Sequence, residues 1–66
     1  MGEQAIYAAY ERLKQLVEAS AEDVAKTAGG NKAAGTRVRK AMQEVKAASQ
    51  DVRKKVLEDR SQTSPS

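Results

Sequence analysis

Few residues of this 66-residue sequence belong to the types that carry out catalysis. The chain contains no histidine and no cysteine, so the commonest general base, the commonest metal ligand and any thiolate site are absent. The hydroxyl groups of Tyr7, Tyr10, Ser20 and Ser49 therefore have no imidazole to activate them as nucleophiles. We expect no enzymatic activity, no cofactor and no small-molecule substrate.

The segment GGNKAAGTRVRK, residues 29–40, contains a glycine spacing that resembles a nucleotide-binding site. Gly30 and Gly35 are separated by four residues, as in a phosphate-binding loop. Such a loop ends in Gly-Lys-Ser/Thr, which places a lysine on the phosphates and a hydroxyl group on magnesium. Here Thr36 follows Gly35 directly and no strand pattern precedes the segment. The spacing therefore favours a turn between two helices over a nucleotide site.

Three carboxylates, Glu18, Glu22 and Asp23, lie close together at helical spacing. Carboxylate oxygens are ligands that magnesium prefers, so a weak magnesium site and a solvated helix face are both compatible with this cluster. The solvated face is the better interpretation, and we predict no metal site.

The elements that position these residues are two predicted helices. Apolar residues recur at three- and four-residue steps over residues 3–28 and again over residues 32–60, which is the pattern of amphipathic helices. Residues 29–31 interrupt the pattern with two glycines that favour a helix C-terminus and with Asn31, which favours the N-cap of the next helix. A connection this short joins antiparallel neighbours.

The predicted fold is therefore all-α, an antiparallel two-helix hairpin. We expect one domain over residues 1–60 and a disordered polar tail, SQTSPS, at residues 61–66. The second helix has a heptad seam of alternating valine and alanine, formed by Ala34, Val38, Ala41, Val45, Ala48 and Val52. Gly35 lies beside this seam, where either a close approach of another backbone or simple tolerance explains it.

The apolar residues are too few to stabilise a single hairpin well. The chain has no Phe and no Trp, and domains of this size bury only about 60% of their unfolded surface. We therefore expect two hairpins to dimerise into a four-helix, coiled-coil-like assembly. The residues predicted to form its contacts are Ile6, Tyr10, Leu13, Leu16, Val17, Val24, Val38, Val45 and Val52.

Positive charge is concentrated in the second predicted helix. The net charge of the chain is +3, but residues 1–28 carry three basic against five acidic residues and residues 31–60 carry nine against four. A basic stripe, formed by every seventh residue, lies opposite the seam: Lys32, Arg39, Lys46, Arg53 and Arg60. The candidate phosphate-binding residues are Lys32, Arg37, Arg39, Lys40, Lys46, Arg53, Lys54 and Lys55. A surface for nucleic acid and a solvated outer face are both compatible with this charge.

The segment GNKAAGTRVRKAMQEVKAASQDVRK resembles the N-terminal domain of the chlamydial histone-like family, small bacterial proteins similar to linker histones. The similarity covers roughly residues 21–55, and its matching motif consists of Gly30, Asn31, Lys32, Ala33, Ala34, Arg37, Val38 and Arg39. Chlamydial members also carry a long Lys/Ala/Pro-rich C-terminal tail, whereas this sequence ends in SQTSPS. The resemblance implies DNA binding and organisation of a bacterial nucleoid.

Together, the charge pattern and the resemblance predict sequence-independent binding of double-stranded DNA through phosphate contacts from the second helix. The expected location is the cytoplasm, at the nucleoid, with no membrane association because no apolar run of 18 residues is present. Two alternatives remain open: a helical hairpin that binds an acidic protein partner, and a purely structural coiled coil.

Overall fold

The chain folds into three helices that pack together. The computed structural model describes the backbone of residues 2–63 and the side chains of residues 3–59. Helix α1 spans Gly2–Ala19, α2 spans Ala21–Ala28 and α3 spans Lys32–Thr63. Helix α3 contacts both α1 and α2, and none of the described residues forms a strand. The predicted all-α class is confirmed.

The first predicted helix is divided at Ser20. The backbone N–H of Ser20 bonds to the carbonyl of Val17, 3.1 Å away, instead of to the carbonyl four residues back. The Ser20 hydroxyl group donates a second hydrogen bond to the same carbonyl oxygen at 2.7 Å. A serine side chain that bonds back to the preceding turn competes with the helical ladder and bends the helix. The buried Ser20 therefore separates α1 from α2, a break that apolar periodicity does not reveal.

The connection between α2 and α3 is a tight glycine turn. The N–H of Asn31 bonds to the carbonyl of Lys26 at 3.0 Å, and the N–H of Gly30 bonds to that of Thr27 at 2.9 Å. Gly30 has φ of 100°, a conformation that glycine adopts without a steric penalty. These bonds form a Schellman motif, which satisfies the last carbonyl groups of α2. The glycine with positive φ is thus Gly30.

Asn31 starts α3 as its N-cap, as its residue type predicts. Its side-chain Oδ1 accepts a hydrogen bond of 2.9 Å from the backbone N–H of Ala34. This bond satisfies one of the donors that the first turn of a helix leaves unpaired. The turn therefore ends one helix and begins the next within three residues.

The helices meet along a narrow line of contact, which we call the intrachain seam. Its centre consists of small residues: among residues 3–59 only Ala9, Ser20, Ala34 and Ala48 are buried, and no large side chain there is fully buried. Half-buried side chains alternate with these small residues at three- and four-residue steps: Ile6, Leu13, Leu16, Asp23, Val38, Ala41, Val45, Val52, Lys55 and Asp59. Small residues allow two helices to approach closely, but they remove little apolar area from water.

Gly35 lies against α2, but the distance between them does not require a glycine. A Cβ atom built on Gly35 would lie 3.6 Å from the methyl group of Thr27, which is an ordinary van der Waals distance. Of the two explanations for this glycine, tolerance therefore fits the structure better than an unusually close approach.

The far end of α3 extends beyond the predicted helix. The helix continues to Thr63, three residues past the predicted end, and the remainder of the predicted tail, residues 64–66, lies outside the described residues. Over the described part of the chain, none of the helices combines the length and the apolarity that a membrane span requires.

The small residues of the seam provide a direct test of this packing. Ala34 is 0% exposed, so we expect Ala34→Leu to overpack the seam and to lower the free energy of unfolding by about 1–3 kcal/mol. Ala33→Leu is the matched control, because Ala33 is exposed and its replacement should change stability by less than about 0.5 kcal/mol. Denaturant unfolding followed by circular dichroism measures both. Equal effects of the two substitutions would contradict the packing at Ala34.

Candidate nucleic-acid interface

The basic residues of α3 form an exposed surface with unpaired charges. Six of the eight candidate residues are exposed and form no ion pair with any described residue: Lys32, Arg39, Lys40, Lys46, Arg53 and Lys54. The Arg60 side chain lies outside the described residues. An exposed cation that has no acidic partner keeps its full charge available for a phosphate group.

The spacing of the stripe follows from helix geometry. Residues seven apart on one helix are separated by about 10 Å along its axis, and Lys32 to Arg53 spans about 32 Å. Because a straight α-helix drifts by only about 20° per heptad from a seven-residue repeat, these side chains remain on one face. The rigid helix therefore holds a row of positive charges at regular intervals.

Two glutamines belong to this surface, and the sequence analysis did not identify them as candidates. Gln43 and Gln50 line a shallow groove with Lys46, and Gln50 lines a second groove with Arg53 and Lys54. Amide side chains donate and accept hydrogen bonds to phosphate and sugar oxygens. The signal in the sequence is their placement three or four residues from members of the basic stripe.

Arg37 is engaged within the chain. Its Nη2 and Nε atoms donate hydrogen bonds of 3.0 and 3.1 Å to Oδ1 of Asp23 on α2. The hydrogen bond with Arg37 lowers the pKa of Asp23, and the same bond raises the pKa of Arg37. The ion pair joins α2 to α3 close to the turn, so this candidate acts in holding the helices together.

Lys55 occupies a position of the seam. It lies seven residues after Ala48 and is half-buried, with 34% of its side chain exposed and its Nζ 4.0 Å from Oε1 of Glu58. The alternation of valine and alanine thus gives way to charged residues, Lys55 and Asp59, in the last turns of the seam. Lys55 and Arg37 therefore differ from the other six candidates, because each lies close to an acidic side chain.

The charges of α1 and α2 are partly neutralised locally. Lys14 lies 3.5 Å from Glu11 and Lys26 lies 3.2 Å from Glu22, each pair within one helix. Such exposed pairs contribute little to stability, but they leave few unpaired cations outside α3. Among the described residues, no group of three or more acidic side chains is arranged to hold a metal ion.

The predicted self-association residues divide into two sets. Six of them are half-buried within the single chain: Ile6, Leu13, Leu16, Val38, Val45 and Val52. The other three remain exposed, with Tyr10 at 53%, Val17 at 47% and Val24 at 46%. The single chain therefore uses only part of the predicted contact surface.

The Asp23–Arg37 ion pair predicts a specific sensitivity to acid. Because the folded protein lowers the pKa of Asp23, the pair stabilises the fold above the ordinary carboxyl pKa of about 4. This contribution is lost as the pH falls through the lowered pKa. Between about pH 6 and about pH 2.5, the melting temperature of Asp23→Asn should therefore fall less than that of the wild type. Glu18→Gln removes the same charge from an exposed residue without an ion pair, and it should retain the wild-type profile. Identical profiles for the two variants would contradict a stabilising ion pair.

Comparison with known proteins adds a family to this geometry. No curated protein matches the chain, and no solved structure does. The family model described as Histone H1-like protein Hc1 matches residues 8–62, a range that includes most of α1, all of α2 and the whole basic surface of α3. The chain therefore belongs to the histone H1-like Hc1 family, in agreement with the resemblance found in its sequence.

Proposed function

We propose that this protein binds double-stranded DNA without sequence preference and contributes to the organisation of a bacterial nucleoid. The observation that carries the proposal is the row of exposed, unpaired cations on α3, above all Arg39, Lys46 and Arg53. Cations that meet phosphates release condensed counterions, which is the main source of non-specific affinity for DNA. The name of the family, histone H1-like, supports the same function.

The binding mode follows from the types of residue on the surface. Lys40 and Lys54 widen the stripe, and Gln43 and Gln50 supply hydrogen bonds between the cations. The arginines and lysines bind phosphates, which position a protein on DNA but carry no sequence information directly. The surface therefore favours contacts with the DNA backbone.

We further propose that α1 and α2 together run antiparallel to α3. Three observations support this direction: the turn between α2 and α3 has only three residues, Asp23 pairs with Arg37, and α1 contacts α3. The chain is 53 Å long, whereas one straight helix over residues 2–63 would measure about 93 Å. In this arrangement residues whose numbers add up to about 61 lie side by side.

The antiparallel arrangement creates a second apolar face, formed by Tyr10, Val17, Val24, Met42 and Val56. At 100° per residue, the first three lie on one flank of α1 and α2, and the last two lie on the flank of α3 that points the same way. The Asp23–Arg37 ion pair lies on the opposite side. All five side chains are exposed, from 38% for Val56 to 53% for Tyr10.

We propose that two copies of the chain dimerise through this face into a four-helix assembly. Over the described part of the monomer no large side chain is fully buried, so covering a second row of apolar residues would add stability that the seam lacks. A dimer would also double the number of cations on one particle. That increase supports the coating or bridging of DNA by a domain of modest net charge.

The salt dependence of DNA binding tests the proposed function. If each subunit of a dimer engages about three phosphates, the slope of log affinity against log salt should be about −5. Replacing Arg39, Lys46 and Arg53 together by glutamine should lower the affinity and flatten this slope by a few units, with helicity unchanged. Gel shifts with random-sequence duplex at several salt concentrations provide the measurement.

A matched control separates a specific surface from total charge. The triple replacement of Arg12, Lys14 and Lys26 by glutamine removes the same three charges from α1 and α2, and it should leave the slope close to that of the wild type. Equal effects of both triple variants would show that net charge alone drives binding. The absence of measurable duplex binding near physiological salt would overturn the DNA-binding proposal and favour a protein-binding module.

Replacing Val17 and Val24 by glutamine tests the proposed dimer face. Because both side chains are exposed in the single chain, the double variant should keep its helicity when concentrated. Its melting temperature should lose the concentration dependence expected of a self-associating wild type. Leu57→Gln is the control, since Leu57 is also exposed, at 58%, but lies beside Arg53 and Lys54 on the basic surface. A wild-type melting temperature that is constant over a hundredfold dilution would rule out the dimer.

A further inference from the structure

A single heptad repeat runs through the whole chain and crosses the turn without a change of phase. One series of every seventh residue comprises Ile6, Leu13, Ser20, Thr27, Ala34, Ala41, Ala48 and Lys55. A second series comprises Glu3, Tyr10, Val17, Val24, Asn31, Val38, Val45, Val52 and Asp59. Together they alternate in steps of four and three, which is the pattern of a continuous coiled-coil seam. Two helices that simply pack on each other across a turn do not need a heptad repeat that continues in register from the first helix into the second.

The folded chain uses only part of this repeat. In α3 both buried residues and most of the half-buried residues belong to one or other of the two series. In α1 and α2 the second series is replaced at the intrachain seam by its neighbours Ala9, Leu16 and Asp23, which are less exposed than Tyr10, Val17 and Val24. The more apolar set of the two therefore remains in water.

The turn is also a local interruption of a sequence that otherwise fits one long helix. It consists of Gly29, Gly30 and Asn31, of which Gly30, with φ of 100°, lies in the left-handed region. Asn31 occupies a position of the valine series. A single asparagine at such a position commonly fixes the register of a coiled coil, at some cost in stability. A change of backbone angles at the turn would therefore align α2 and α3 as one helix.

We infer that this chain forms a second kind of dimer, in which the turn opens and two chains exchange their α3 helices. In each chain α2 and α3 then become one continuous helix, and α1 and α2 of one chain pack against α3 of the other. Exchange of an identical element is a low-cost route to a dimer, and short hinge loops favour it. In this dimer, α3 of a second copy of the chain takes the place of the chain's own α3 at the seam.

The proposed register makes this exchange symmetric. In the closed chain, Asp23 faces Arg37 and Thr27 faces Gly35, so paired residue numbers add up to 60 or 62. An antiparallel pair of continuous helices keeps the same partners when the two chains cross near Gly30 and Asn31. Residues at the same levels of the seam then face each other between chains, and the two Asn31 residues meet at the centre.

Opening of the turn also allows the exposed side chains of Val17 and Val24 to be covered. A small rotation of the α1–α2 half moves Val17 and Val24 towards the seam in place of Leu16 and Asp23, because the two series lie one residue apart. A strict seven-residue repeat over the full length favours a left-handed supercoil. The exchanged dimer is then a rod of about 90 Å, whose two α3 segments lie on opposite halves.

Cysteine cross-linking distinguishes the closed chain from the exchanged dimer. The natural chain has no cysteine, and a Cβ atom at Gly35 would lie 3.6 Å from the Thr27 methyl group, close enough for a disulfide. A variant that combines Thr27→Cys and Gly35→Cys is oxidised at increasing protein concentration and analysed by denaturing, non-reducing electrophoresis. A closed chain, alone or in a dimer of closed hairpins, yields a disulfide within one chain. An exchanged dimer yields a covalent dimer, and we expect its fraction to rise with concentration.

Gly30→Ala should shift this balance towards exchange. Alanine is strained at φ of 100° in the closed turn, but it is preferred over glycine in a continuous helix. In the cysteine-pair background, the concentration at which half of the protein is cross-linked between chains should fall roughly tenfold or more. Four Gly/Ser residues inserted between Gly29 and Gly30 relax the turn and should abolish the covalent dimer. Each single-cysteine variant, oxidised in parallel, gives the background of random cross-links.

Solution scattering on Gly30→Ala without cysteines provides an independent reading of the same state. Its maximum dimension should increase from close to the 53 Å of the closed chain towards about 90 Å as the protein is concentrated. Cross-links that stay within single chains at every concentration, together with an unchanged maximum dimension for Gly30→Ala, would overturn the exchange. Neither measurement involves DNA, so this result is separate from the outcome of the DNA-binding experiments.

Discussion

The packing of small side chains along the intrachain seam is the constraint on which the rest of this structure depends. Of the side chains that the structure describes, only those of Ala9, Ser20, Ala34 and Ala48 are buried, so the helices approach closely while little apolar surface leaves water. Hydrophobic stabilisation scales with the apolar area that is buried. A seam of this kind specifies which faces of the helices meet, but it leaves the single chain with a small reserve of stability.

The polar contacts around the seam compensate by fixing the geometry of the chain. The Schellman motif at Gly30, the cap from Asn31 and the Asp23–Arg37 ion pair all lie near the turn. At the opposite end, Lys55 and Asp59 replace the apolar residues of the seam. The polar contacts that fix the geometry are therefore concentrated near the turn.

The narrowness of the seam also links the stability of the chain to its proposed function. Because α3 buries only a narrow line of small residues, most of its circumference remains exposed and can carry charge. Six cations on that surface have no ion-pair partner among the described residues, whereas those of α1 and α2 are largely paired with neighbouring acids. A domain with a net charge of only +3 can thus present one strongly basic side, which is the arrangement that a DNA-backbone contact requires.

The sequence by itself determined the helical class, the turn at residues 29–31, the N-cap at Asn31 and the face of α3 that carries positive charge. These features depend on periodicity and on local backbone preferences, which neighbouring residues express directly. Only the tertiary structure decided that the first helix divides at Ser20, that Arg37 pairs with Asp23, and that Tyr10, Val17 and Val24 stay exposed while Ala9, Leu16 and Asp23 turn towards the seam. Those outcomes depend on how two helix faces fit together, and adjacent faces of an alanine-rich helix differ too little in hydrophobicity for the sequence alone to choose between them.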